Sequence, residues 1–122
     1  MKRYLINALV SIVLSILVSA GMLLVDPNGR LGVNQAWVWV LTAWQIGALA
    51  AVGRGRHAGW LHGASVQACW ITYAFATTQY GFVPGSALSI VVQVISFISA
   101  NTAERVTLTA AAVSDHPSRE RS

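Results

Sequence analysis

Charge is what this sequence lacks over most of its length. Acidic and basic side chains make up 10% of its 122 residues, against about 25% in a typical soluble domain. None falls within four apolar stretches, roughly Tyr4–Val25, Ala36–Gly53, Ala58–Tyr80 and Pro84–Asn101. A soluble helical bundle needs polar outer faces, and these stretches have none. Proton relays, voltage sensors and many coupled pumps need ionisable groups at membrane depth, and the stretches offer no Asp, Glu, Lys or Arg for them. They contain neither a paired-carboxylate nor a Ser/His/Asp arrangement, so no enzyme, catalytic residue or cofactor is expected. The single cysteine, Cys69, rules out an internal disulfide, and no second ligand joins it to make a metal cluster. It reads as a small packing residue.

What is present is apolar length. Hydrophobic residues are 55% of the chain, and each stretch, coiled at 1.5 Å per residue, covers about 30 Å of hydrocarbon. The expected fold class is therefore all-α: an integral membrane protein with four transmembrane helices, a leading helix followed by a compact three-helix unit. The start Met1-Lys2-Arg3 before an apolar run also resembles a secretory signal, with Val18-Ser19-Ala20 as a cleavage site. The run is longer than the roughly 7–15 residues of a signal core, and apolar residues continue past the site, which favours an uncleaved span.

The net charge of +4 follows membrane topology rather than a nucleic-acid patch. Lys2 and Arg3 precede the first span, Arg54 and Arg56 separate the second from the third, and Arg105, Arg119 and Arg121 follow the fourth. Arg30, beside Asp26, lies in the opposite set of loops. The positive-inside rule then places both termini and the Arg54–His57 loop on the cytoplasmic side of the cytoplasmic membrane. Asp26-Pro-Asn-Gly-Arg30 carries a turn signal, Asn34 suits a cap for the second helix, and Pro84 suits the first turn of the fourth. The short second and third connections make the last three helices antiparallel neighbours. A polar tail over residues 104–122 reads as disordered, with Thr102–Leu108 extending the last helix by a turn or two.

Neutral polar residues recur at helical spacing. In the first span these are Asn7, Ser11, Ser15 and Ser19, and in the fourth Ser86, Ser89, Gln93 and Ser96. Gly63, Gln67, Trp70, Ala74 and Thr77 share a face of the third, and Trp37, Trp44, Gly47, Ala48 and Ala51 a face of the second. Serines at such spacing serve helix packing, at about 0.6 kcal/mol per interhelical hydrogen bond. Gln67 and Gln93 are more demanding, because an unpaired primary amide in lipid costs several kcal/mol. They must face another helix, water or a solute. Trp70 lies one turn from Gln67, and Trp44 is placed to add a second indole plane, so amides and indoles together would suit a flat polar solute. Trp37, Trp39, Trp60, Tyr80 and Tyr4 fit interfacial belts, and His62, near the inner boundary, suits packing or snorkelling better than proton transfer.

Arg54 and Arg56, Trp60-Leu61, Gln67, Trp70, Tyr73, Gln79, Asn101 and Arg105 form a pattern that resembles one three-helix half of the nicotinamide riboside transporters, the PnuC family, whose architecture is related to the SWEET sugar transporters. The resemblance covers Arg54 to Arg105. It implies that Gln67, Trp70 and Asn101 contact a solute, with Gln93 and Trp44 beside them on the residue pattern. The family has two such halves joined by a linking helix, whereas this chain has one unit and a leading helix, so two copies would be needed. The chain also resembles small membrane proteins of actinobacteria and their phages, which implies no mechanism. The expected function is thus an oligomeric binder or facilitator of a flat, uncharged polar solute. Its partners would be the lipid bilayer, copies of itself and that solute, with no nucleic acid. Two alternatives stand beside it: a phage holin-type or exclusion protein, and an accessory subunit of a larger membrane complex.

Overall fold

The computed structural model describes residues 2–25 and 33–115. They form four helices: α1 (Lys2–Val25), α2 (Val33–Gly53), α3 (Ala58–Ala76) and α4 (Phe82–Ser114). The Asp26–Arg30 turn, the Asn34 side chain and the last residues, 116–122, lie outside the described residues.

The chain is organised around α3, which packs against each of the other three helices. α1 and α2 touch little, and α4 comes near neither of them backbone to backbone. Burial follows the same plan. α3 buries Gly59, Gly63, Val66, Cys69, Tyr73 and Ala74, whereas α1 buries Ser11 and Met22 and α4 buries Ser86 and Gln93. Leu41 of α2 completes the core with Met22, Val66, Cys69 and Tyr73. The outer faces of α1, α2 and α4 are apolar and exposed, among them Leu9, Ile16, Ile46, Leu88 and Ile95.

Three helices are long and apolar enough to cross a membrane: Lys2–Val25, Gln35–Gly53 within α2, and Phe82–Ser114. The expected third span, Ala58–Tyr80, does not meet that standard. Its helix stops at Ala76 and is rich in Gly, Ser, Thr, Gln, His and Trp. Position explains this. A helix enclosed by three others faces protein, so its composition answers to packing rather than to lipid.

The leading helix is not an appendage to a three-helix unit. α1 runs parallel to α3 in a fixed register, and Ser11, Ser15 and Ser19 meet Ser65, Cys69 and Thr72 in turn. Ser11 Oγ donates to Leu61 O at 3.1 Å and lies 2.5 Å from Ser65 Oγ. Thr72 Oγ1 donates to Ser19 Oγ at 3.3 Å, and the Cys69 thiol donates to Ser15 O at 3.6 Å. α2 approaches from another side with no room to spare. A Cβ on Gly59 would lie 2.5 Å from Ala48 O and 2.9 Å from Val52 N, both backbone atoms. Gly47 faces outward with nothing near it. Leu41, fully buried, takes the inner position expected of Gly47.

α4 continues as helix to Ser114, so the first part of the expected disordered tail is ordered. Its 33 residues reach about 50 Å, well beyond a hydrocarbon layer of about 30 Å. Ala103, Leu108 and Ala110–Ala112 are strong helix formers, and they carry the helix outward with every residue from Thr102 exposed.

Both turns flanking α3 use the same closing geometry. After α2, Gly55 N donates to Val52 O and Arg56 N to Ala51 O, at 2.8 and 2.9 Å. After α3, Thr78 N donates to Phe75 O and Gln79 N to Ala74 O, at 3.4 and 2.9 Å. Each motif needs a left-handed residue at its pivot. Gly55 supplies it with φ 75°, but Thr78 holds φ 58° with a β-branched side chain, a conformation costing about 1–2 kcal/mol. Gly55→Ala is therefore expected to destabilise the bundle by about 1 kcal/mol, and Thr78→Gly to stabilise it by about 0.5–1 kcal/mol. Unfolding of detergent-solubilised protein followed by circular dichroism measures both, and equal signs for the two substitutions would refute this account.

Candidate functional site

The three amides of the bundle interior come from three helices and meet on one side of α3. Gln67 Nε2 donates to Gln45 Oε1 of α2 at 3.0 Å. One turn earlier on α3, Gly63 receives the Gln93 amide of α4 on its bare backbone, with Gln93 Oε1 as the nearest atom. Residues four apart on a helix stack on one face, so the Gln93 amide sits a single turn from the Gln45–Gln67 pair. Gln93 is 8% exposed.

The glycines Gly59 and Gly63 make this junction possible. They stand four apart, the small-residue spacing that lets membrane helices approach. Gly59 admits the α2 backbone and Gly63 admits the Gln93 side chain. An alanine at Gly63 would meet the far end of a flexible side chain, whereas one at Gly59 would meet backbone, so the two positions differ in how much they can yield.

The expected solute-contacting residues divide between three places. Gln67 and Gln93 converge as described. Trp70 lies one turn beyond Gln67 and is already engaged. It packs edge-on to Tyr73, with centroids 5.6 Å apart at 83°, and stacks on Phe82 of α4 at 6.4 Å and 30°. Trp44 meets His62 edge-on at 6.3 Å and 60°, and the buried His62 Nδ1 has no hydrogen-bond partner among the described residues. Asn101 lies eight residues past Gln93, about 12 Å along α4. It borders a small cavity of about 230 Å³ with Tyr4, Phe97 and Glu104, and its buried Oδ1 has no partner among the described residues. Asn101 therefore does not join the amide junction.

Gln45 is the member that sequence reasoning missed. The rule that marks Gln67 and Gln93, a neutral amide far from either end of an apolar helix, applies equally to Gln45. The Gly59/Gly63 spacing was a second overlooked signal.

Another groove of about 270 Å³ lies where α1 and α4 flank α3, lined by Ser11, Ser15, Ser65, Ile90 and Val94. Its hydroxyls are satisfied. Ser11 and Ser65 bond each other, and Ser15 Oγ donates to Ile12 O at 3.0 Å. The groove is apolar in effect, with no donor left for a polar ligand.

If the Gln45–Gln67 bond is a buried pair, the two side chains must be coupled. Gln67→Leu and Gln45→Leu are each expected to cost about 1–2 kcal/mol, since each strands the other amide. The double substitution is expected to cost less than the sum, because it removes both groups together. Unfolding free energies of the four proteins in one detergent give the coupling, and strict additivity would show that the pair is not formed. Among known proteins, no family model, curated protein or solved structure matches this chain.

Proposed function

We propose that the protein crosses the membrane four times, with α3 as the enclosed third span and both termini in the cytoplasm. It works as an oligomer that binds a flat, uncharged polar solute, or eases its passage, at the amide junction. The observation that carries this reading is the convergence of Gln45, Gln67 and Gln93 from three helices, with Gln93 itself buried. Each primary amide carries two donors and an acceptor, and a ligand carrying its own donors and acceptors would match them. Neutral amides select neutral polar groups, and Trp70 one turn away offers an aromatic neighbour. The resemblance to the nicotinamide riboside transporters points to the same chemical class.

The geometry also bears on the alternatives. A lesion formed between subunits needs polar stripes on outward faces. Here Ser86 and Gln93 are buried, and the outward positions of α4 include Leu88, Val91, Ile95 and Ile98. α3 fills the axis of a single chain, so any route runs beside it and is closed by a second copy. That is the support for an oligomer.

Two measurements test the proposal. With Cys69 replaced by alanine, single cysteines introduced as Arg54→Cys and Gln79→Cys are expected to react with a membrane-impermeant thiol reagent from opposite sides. Labelling of both from one side would mean that α3 does not cross. Expression is expected to raise uptake of labelled nicotinamide riboside, and Gln67→Leu or Gln93→Leu to lower that gain about tenfold, the equivalent of one good hydrogen bond to solute. Uptake unaffected by expression, or indifferent to both substitutions, would remove the solute reading.

A further inference from the structure

The end of the bundle where α1 and α3 begin holds an open basin of about 670 Å³ with an unusual excess of positive charge. Lys2 and Arg3 reach it from the first turn of α1, and Arg56 and His57 from the turn that leads into α3. These residues are 53 or more positions apart in sequence, and they are brought together by the parallel register of α1 on α3.

The one carboxylate in the basin is already held. Tyr4 OH donates to Glu104 Oε2 at 3.2 Å, and His57 Nε2 lies 3.5 Å from the same oxygen. Among the described residues no carboxylate pairs with Lys2, Arg3 or Arg56. The backbone adds to the imbalance. Neither α1 nor α3 carries an acid in its first turn, and the His57 side chain does not cap α3. Two helix starts thus bring their positive dipole ends to the same basin, although the Gly59 and Trp60 N–H groups of α3 are already taken by Arg56 O and His57 O at 3.0 and 3.1 Å. Several cations gathered without counter-charge repel one another, and an anion with several acceptor oxygens relieves them.

We propose that this basin is a binding site for a phosphate-bearing anion, held by Arg3, Arg56 and Lys2. Guanidinium groups take phosphate oxygens in pairs. Asn7, one turn deeper on α1 and also lining the basin, offers an amide to a neighbouring oxygen. The chemistry has two sources, an anionic phospholipid headgroup at the membrane surface or a free phosphate. The basin lies at the ends of helices long enough to cross a bilayer, where phospholipid headgroups sit.

The experiment uses the full-length chain in neutral detergent, with phosphatidylglycerol and phosphatidylcholine as lipid probes read by native mass spectrometry. Inorganic phosphate is the soluble probe, read by phosphorus NMR. Retention of phosphatidylglycerol over phosphatidylcholine is expected. The double variant Arg3→Gln/Arg56→Gln is expected to weaken it roughly 30-fold, from about 1 kcal/mol per basic residue near an anionic surface. The charge-matched tail variant Arg119→Gln/Arg121→Gln is expected to bind like the parent. Arg3→Lys/Arg56→Lys, with helicity checked by circular dichroism, keeps the charge but not the paired contacts, so it is expected to bind more tightly than the glutamine variant and more weakly than the parent, which separates lost charge from lost fold. Binding of inorganic phosphate with the same dependence on Arg3 and Arg56, without lipid preference, identifies free phosphate as the source. The proposal is overturned if neither anion binds, if the basin variant binds like the parent, or if the tail variant loses as much.

Discussion

Everything else in this protein rests on the enclosure of α3. A helix carrying His62, Ser65, Gln67, Thr72 and two glycines is poorly suited to face hydrocarbon, where an unsatisfied polar group costs several kcal/mol. Three apolar helices surround it and spend their few polar residues on it. Ser11 meets Ser65, Ser19 meets Thr72, and Gln45 meets Gln67. Each bond is individually small, about 0.6 kcal/mol in membrane bundles. Their value is geometric, since they fix the register of α1 and the depth of α2. The glycines make the approach close enough for this, at Gly59 against the α2 backbone and at Gly63 beneath Gln93.

That arrangement accounts for what could and could not be read from sequence. Three helices were legible because charge-free length is a signal that lipid imposes directly, and α1, α2 and α4 are the helices that expose Leu, Ile and Val. α3 was the hard case because its environment is protein, so its residues report packing partners and not a solvent. Its end was misplaced for a local reason. Thr78 adopts a left-handed conformation usual for glycine, so no sequence signal marked the stop at Ala76. The helical extension of α4 past Asn101 was hidden in the opposite way. Polar composition suggested a tail, while alanine and leucine content favoured helix.

The candidate site was legible in kind and not in arrangement. Amides and indoles within apolar helices were singled out as residues needing an explanation, and Gln67 and the Gln93 contact lie one turn apart along α3. Periodicity gives a face but no partner, and which helix each face meets depends on the order of helices around α3. That is why Trp44 turned out to meet His62, Asn101 lies near the charged end, and Gln45 was overlooked. Hydrophobic spacing does not encode the rotation of one helix about another.

The two interior features of the bundle differ in what they leave unspent. The groove beside α1 and α4 has volume, but its hydroxyls are bonded to one another and to carbonyls, so it is dry in character and fits a methyl group or an acyl chain. The junction of α2, α3 and α4 instead gathers three primary amides, each with two donors and an acceptor. Polar ligands are selected by unpaired groups more than by volume, because a site's own buried donors penalise any occupant that fails to match them. A solute that enters this protein from water must replace its hydration with such groups. The serine-lined groove cannot offer them, and α3 itself blocks the axis. The amide junction and the dry groove therefore lie on different sides of the same central helix.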